Sequence, residues 1–157
     1  MKSLRPIFHL GKSSRIILAA LIGALIVEPS DLVVPDKEGE TLKKIETLLR
    51  EFPRLMRFGF LCLLVVFDRL PVFFSFGFTR FIHLNLEQQQ SYAERWHNTS
   101  NTVLREIFKS LRGIVMVAYF SQHAVWNYIG YNPKKYAADR IALRHKVMQQ
   151  DQESALS

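Results

Sequence analysis

From Thr41 onward the apolar residues Leu42, Ile45, Leu48 and Leu49 recur at the spacing of one helix face, with Lys43, Lys44, Glu46 and Arg50 on the other. This alternation predicts an amphipathic helix. A longer example runs from Val103 to Phe120, where Leu104, Ile107, Phe108, Leu111, Ile114, Val115, Ala118 and Tyr119 keep the i, i+3, i+4, i+7 pattern. Met116, Val117 and Phe120 add a second apolar face, so this helix is expected to sink into the core as it proceeds.

Other segments are apolar without a polar phase. Arg15 to Val27 reads as a helix capped by Ser13 or Ser14 and stopped by Pro29. Pro53 suits the first turn of a helix reaching about Arg69, whose continuous apolar surface predicts burial on most sides. Leu70-Pro71 interrupts it, and VFFSFGF, residues 72–78, reads as a short helix or an irregular packed turn. The segment PSDLVVPDKEGE carries turn signals and reads as a surface connection. Asn85-Leu86-Glu87-Gln88 is a capping sequence opening a helix that turns Leu86, Tyr92 or Ala93, and Trp96 inward. A charged tail helix is expected over about Tyr136 to Gln150. The pattern gives an all-α fold: one compact domain of five to six helices over residues 1–133 with a buried central helix, followed by a basic tail over 134–157.

Charge and composition narrow the class. The chain of 157 residues carries a formal charge of +7, which favours an acidic partner or an anionic surface without choosing between them. Phe58 to Phe78 is apolar almost throughout but has DRLP at its middle. Asp68 and Arg69 would each cost roughly 2.5 to 3.5 kcal/mol near a bilayer centre, and Pro71 breaks the helix. No transmembrane span is expected, while peripheral membrane contact stays open. Lys2, Arg5, Lys12 and Arg15 precede an apolar run, but no small-residue cleavage site follows and no twin-arginine pair precedes it. The expected location is cytoplasmic or peripheral to the membrane, with export only through an unrecognised signal or a partner. Cys62, the single cysteine, lies in FGFLCLLVVF and is expected to be a buried, inert thiol.

Catalytic chemistry needs convergent polar groups, and none converge in the sequence. GKSS at Gly11 to Ser14 is only the tail of a phosphate-binding loop, with no earlier glycine at the right spacing. His9, His83, His97, His123 and His145 fall singly, so no helix carries a metal-ligating pair. His97 is expected to be solvated. A break at Ser121-Gln122 would free the His123 imidazole to cap or bond a backbone carbonyl. The bases Arg105, Lys109 and Arg112 share a solvated face with Glu106, and no nucleic-acid partner is expected. No catalytic residue, bound cofactor or metal is assigned to the chain.

Three segments in order resemble the gluconate 2-dehydrogenase subunit 3 family, the small helical partners of glucose-methanol-choline flavin oxidoreductases. They are RIILAALIGALIVEP, FTRFIHLNLEQQQSYAERW and LREIFKSLRGIVMVAYFSQHAVWNYIGY, together covering roughly Arg15 to Pro133. The resemblance implies a non-catalytic accessory subunit of a dehydrogenase or oxidase complex, with FAD on a large flavoprotein partner. A small helical membrane-peripheral protein, or a structural subunit of another complex, is the alternative. Tyr119, Trp126, Tyr128 and Tyr131 are expected to form an amphipathic aromatic cluster of the kind that anchors interfaces, and His123 joins them as a contact candidate. With Lys134, Lys135, Arg140 and Arg144 of the tail they are the candidate partner-interface residues.

Overall fold

The computed structural model describes residues 9–27, 36–71 and 79–156. Among the described residues the chain is all-α, with seven α-helices and no strand. They are α1 (Lys12–Leu25), α2 (Lys37–Glu51), α3 (Arg54–Arg69), α4 (Leu86–Asn98), α5 (Thr102–Phe120), α6 (His123–Tyr128) and α7 (Pro133–Leu156), with a 3-10 turn at Phe81–His83. Six of them, α1 to α6, precede Pro133, within the five to six expected there, and α7 is the tail helix. Contacts divide the chain into two compact units, Met1–Gln122 and His123–Ser157, a boundary ahead of the one expected at Pro133. Pro29 and the VFFSFGF segment, and the readings made for them, lie outside the described residues.

Local chemistry sets the helix ends. The Gly11 carbonyl accepts the first α1 bond, from Arg15 N at 3.1 Å, so α1 starts ahead of Ser13 and Ser14 and leaves them inside the helix. The helix α2 also begins earlier than its apolar periodicity suggests, within the expected surface connection. Asp36, at φ 49°, accepts a hydrogen bond from Gly39 N at 3.1 Å, and Glu38 and Glu40 place negative charge in the first turn. A Cβ at position 39 would overlap the Asp36 carboxylate, so this cap requires glycine there. At the other end of α2, the Arg57 guanidinium donates to the carbonyls of Leu49, Arg50 and Phe52 at 3.0–3.1 Å, supplying partners for orphan C-terminal groups. Asn85 and Gln88 form the capping box read from the sequence, at 2.8 and 3.2 Å.

Unit one is a bundle in which α5 packs on α2, α3 and α4, and α1 on α2, α3 and α4. Its centre is aromatic. The Phe67 ring lies 4.8 Å from Phe81, 5.0 Å from Tyr92, 5.2 Å from Trp96 and 6.0 Å from Phe108, joining α3, the 3-10 turn, α4 and α5. Tyr92 donates its hydroxyl to the Phe67 carbonyl at 2.7 Å, and burial pushes its phenol well above the ordinary range. Gln122 Nε2 donates to Thr41 Oγ1 at 2.8 Å, fastening the end of α5 to the start of α2.

Two buried carboxylates complete the unit. Asp68 accepts from Arg80 Nε at 2.7 Å and Nη2 at 2.6 Å and from Ile82 N at 3.3 Å, tying the end of α3 to the turn. Glu46, assigned by periodicity to the outer face of α2, is buried, because it accepts from Leu10 N at 3.0 Å and from Arg15 Nη2 at 2.6 Å. Burial opposes its charge, but the Arg15 hydrogen bond, the Leu10 N–H and the nearby positive groups outweigh it. The carboxyl is held below its ordinary value of 4.5. Its stabilisation is therefore complete above the unfolded-state value and is lost as pH falls through the folded one. In Arg15→Gln the folded value rises, and acid unfolding followed by circular dichroism is expected to begin at higher pH. An unchanged acid midpoint would contradict this pairing.

Several faces are oriented differently from the sequence expectation. Among α3 residues Phe60, Leu64, Phe67 and Asp68 are buried, while Leu55, Met56, Phe58, Cys62, Val65 and Val66 are exposed. The helix is thus buried on one side, and Cys62 is a surface thiol instead of a core one. The helix α5 buries Phe108, Leu111, Val115, Ala118 and Tyr119 along one stripe. Val117 and Phe120 project outward from it, so the end of α5 does not sink on both sides. Leu86, the first residue of α4, is exposed, whereas Tyr92, Ala93 and Trp96 point inward as the spacing predicts.

Candidate functional site

The second unit begins where α5 ends. Phe120 closes α5 and His123 opens α6, so the break at Ser121-Gln122 is present. Six residues later α6 terminates in a Schellman pair: Tyr131 N donates to the Trp126 carbonyl at 2.8 Å and Gly130 N to the Asn127 carbonyl at 3.3 Å. Gly130 stands at φ +68°, which side-chain-bearing residues seldom adopt, and this explains glycine in the Ile-Gly-Tyr sequence. The turn folds the Tyr131 ring onto Trp126 at 5.7 Å and 85°. On the other side the His123 ring meets Trp126 edge-on at 4.9 Å, giving the imidazole an aromatic partner within its own unit.

Asn132 and Pro133 then start α7. The Asn132 carbonyl accepts from Tyr136 N at 2.9 Å and its side chain from Lys135 N at 3.1 Å, with proline at the first helical position. The result is a cleft of about 420 Å³ whose lining includes His123, Trp126, Asn127, Tyr131, Asn132 and Lys134. It offers aromatic edges, amide hydrogen-bonding groups and one cation. This composition suits an anchoring surface, since aromatic rings provide contact area at small entropic cost.

Four of the candidate interface residues, His123, Trp126, Tyr131 and Lys134, share this cleft. Tyr128 is exposed on α6, and Lys135, Arg140 and Arg144 are exposed on α7. Tyr119 differs: it is buried on α5 in the first unit and offers no ring to a surface. Trp96 belongs to the aromatic centre around Phe67, and Trp126 to the ring pairs of the second unit.

The helix α7 presents every side chain from Lys134 to Asp151 to the surface. Tyr136, Leu143 and Val147 fall at i, i+7 and i+11 and share one face, with the Arg140 guanidinium 5.1 Å above the Tyr136 ring. Lys134, Lys135, Arg140, Arg144 and Lys146 stand against Asp139 alone before Asp151. The face therefore carries three apolar side chains with Arg140 set among them and further bases beside it, while Ile141 and Met148 are exposed elsewhere on the helix.

Among the described residues no group of three or more His, Cys, Asp or Glu side chains comes together. His97 is exposed near the end of α4. No helix among the described residues is long and apolar enough to cross a membrane. No family model, curated protein or solved structure matches the chain.

Proposed function

We propose that this chain is a non-catalytic accessory subunit that docks on a larger flavoprotein of the glucose-methanol-choline type, a dehydrogenase or oxidase carrying FAD. The partner class comes from the resemblance in sequence order. The observation that supports a docking role is α7: a helix with Tyr136, Leu143 and Val147 on one face, bases among and beside them, and no buried side chain between Lys134 and Asp151. Helices gain most of their stability in proteins from packing an apolar face, and apolar side chains set among bases fit an apolar groove with an acidic rim. In this reading the helices organised about α5 form the scaffold and the basic tail engages the partner. The complex then lies in the cytoplasm or at the membrane periphery.

Charge reversal in the full chain tests the docking role. Arg140→Glu with Arg144→Glu leaves the melting curve unchanged, because both residues are exposed, and weakens capture of the flavoprotein by roughly tenfold at low salt. The two proteins converge at high ionic strength, where screening removes the charge contacts. Equal capture at low salt would remove α7 from the interface.

A further inference from the structure

The outer face of α3 is an exposed apolar feature that the docking role leaves unused. Leu55 is 81% exposed, Phe58 66% and Val65 47%, and with Cys62 they follow one another at i, i+3, i+7 and i+10 along a single stripe. Met56 and Val66 widen it, and a separate depression between α3 and α5 is lined by Leu63, Val103 and Ile107 together with Thr102, Glu106 and Ser110. Over this length the stripe runs about 15 Å, at 1.5 Å per residue. Exposed arginines bound it, Arg54 at the start and Arg69 at the end, while the one acid of α3, Asp68, is buried.

We propose that this face of α3 lies in the headgroup region of an anionic lipid membrane, with Leu55, Phe58 and Val65 inserted and Arg54 and Arg69 on lipid phosphates and carboxylates. A second copy fits poorly. Stripes packed antiparallel would set Arg54 of one copy against Arg69 of the other, and stripes packed in parallel would set each arginine against its twin. A protein groove usually adds directional hydrogen bonds, yet between Arg54 and Arg69 the exposed stripe carries no amide, hydroxyl or carboxylate to make them. A fluid apolar layer with negative headgroups asks for none, and in-plane amphipathic helices with basic residues meet that requirement. The charge of +7 draws the chain towards the same surface. This inference does not depend on the identity of the flavoprotein partner.

Flotation of the full chain with vesicles of phosphatidylcholine, with and without phosphatidylserine, tests it. The parent chain is expected to float with the phosphatidylserine vesicles and weakly with phosphatidylcholine alone. Phe58→Asp is expected to reduce binding by a factor of roughly ten to a hundred, the loss of one inserted aromatic. Arg54→Gln should reduce it about fivefold, the worth of one basic residue at such a surface. Phe58→Trp supplies a second readout, a blue shift of its emission on adding phosphatidylserine vesicles. Failure of the parent to float overturns the proposal. So does undiminished flotation of Phe58→Asp, which would assign binding to the basic tail. Loss of a protein partner in Phe58→Asp, without any vesicle binding by the parent, would make the face a protein interface instead.

Discussion

Phe67→Ala is expected to lower the unfolding free energy by about 3–5 kcal/mol, the usual cost of emptying a buried aromatic site. Its ring touches Phe81, Tyr92, Trp96 and Phe108, so the cavity opens at the junction of α3, the 3-10 turn, α4 and α5. Those rings are fixed by their own helices and cannot all close in on the void. Domains of this size are stable by only about 5–15 kcal/mol, so the variant should unfold at much lower denaturant or temperature. Trp96→Ala, fully buried in the same cluster, should behave alike. A urea midpoint within error of the parent's for Phe67→Ala would mean that these rings do not form the stabilising centre.

The second large effect concerns the Asp68 pair. Arg80→Ala removes the guanidinium that donates to Asp68 at 2.7 and 2.6 Å and leaves the carboxylate buried with Ile82 N and with Arg69 at 3.8 Å. Breaking a buried ion pair on one side typically costs 3–5 kcal/mol. About 3 kcal/mol is expected here, because Arg80 keeps 37% of its side chain in water. Asp68→Ala combined with Arg80→Ala should cost less than the sum of the single variants, since the second removal no longer strands a charge. Additive losses in denaturant unfolding would show that the two side chains do not act as a pair.

The sequence carried the parts of the fold that are set by local chemistry. Asn85 with Gln88 was legible because a cap acts within four residues, and the buried stripe of α5 because polar residues mark its opposite side. The outer face of α3 was not legible: RLMRFGFLCLLVVFDR contains too few polar residues to show which side meets water, so Cys62 and Phe58 could be placed only by the packing of Phe60, Leu64 and Phe67. Glu46 was misassigned because its partners, Leu10 N and Arg15, are 36 and 31 residues away. The start of α2 was missed because Asp36 caps it from a left-handed conformation ahead of any apolar residue. At the candidate site, the Asn132-Pro133 helix start and the Gly130 turn had recognisable signals. The burial of Tyr119 depended on its phase on α5, one residue from the exposed Phe120.

The most direct measurement of the accessory-subunit reading is purification of the tagged full chain from its native source, followed by an absorption spectrum and mass analysis of the product. The account predicts a single larger chain in fixed proportion, with the absorption bands of an oxidised flavin that bleach on adding a reductant. The flavin should remain with the larger chain when the two are separated. Recovery of this chain with a flavin-free partner, or with flavin bound to the isolated small chain itself, would contradict the account.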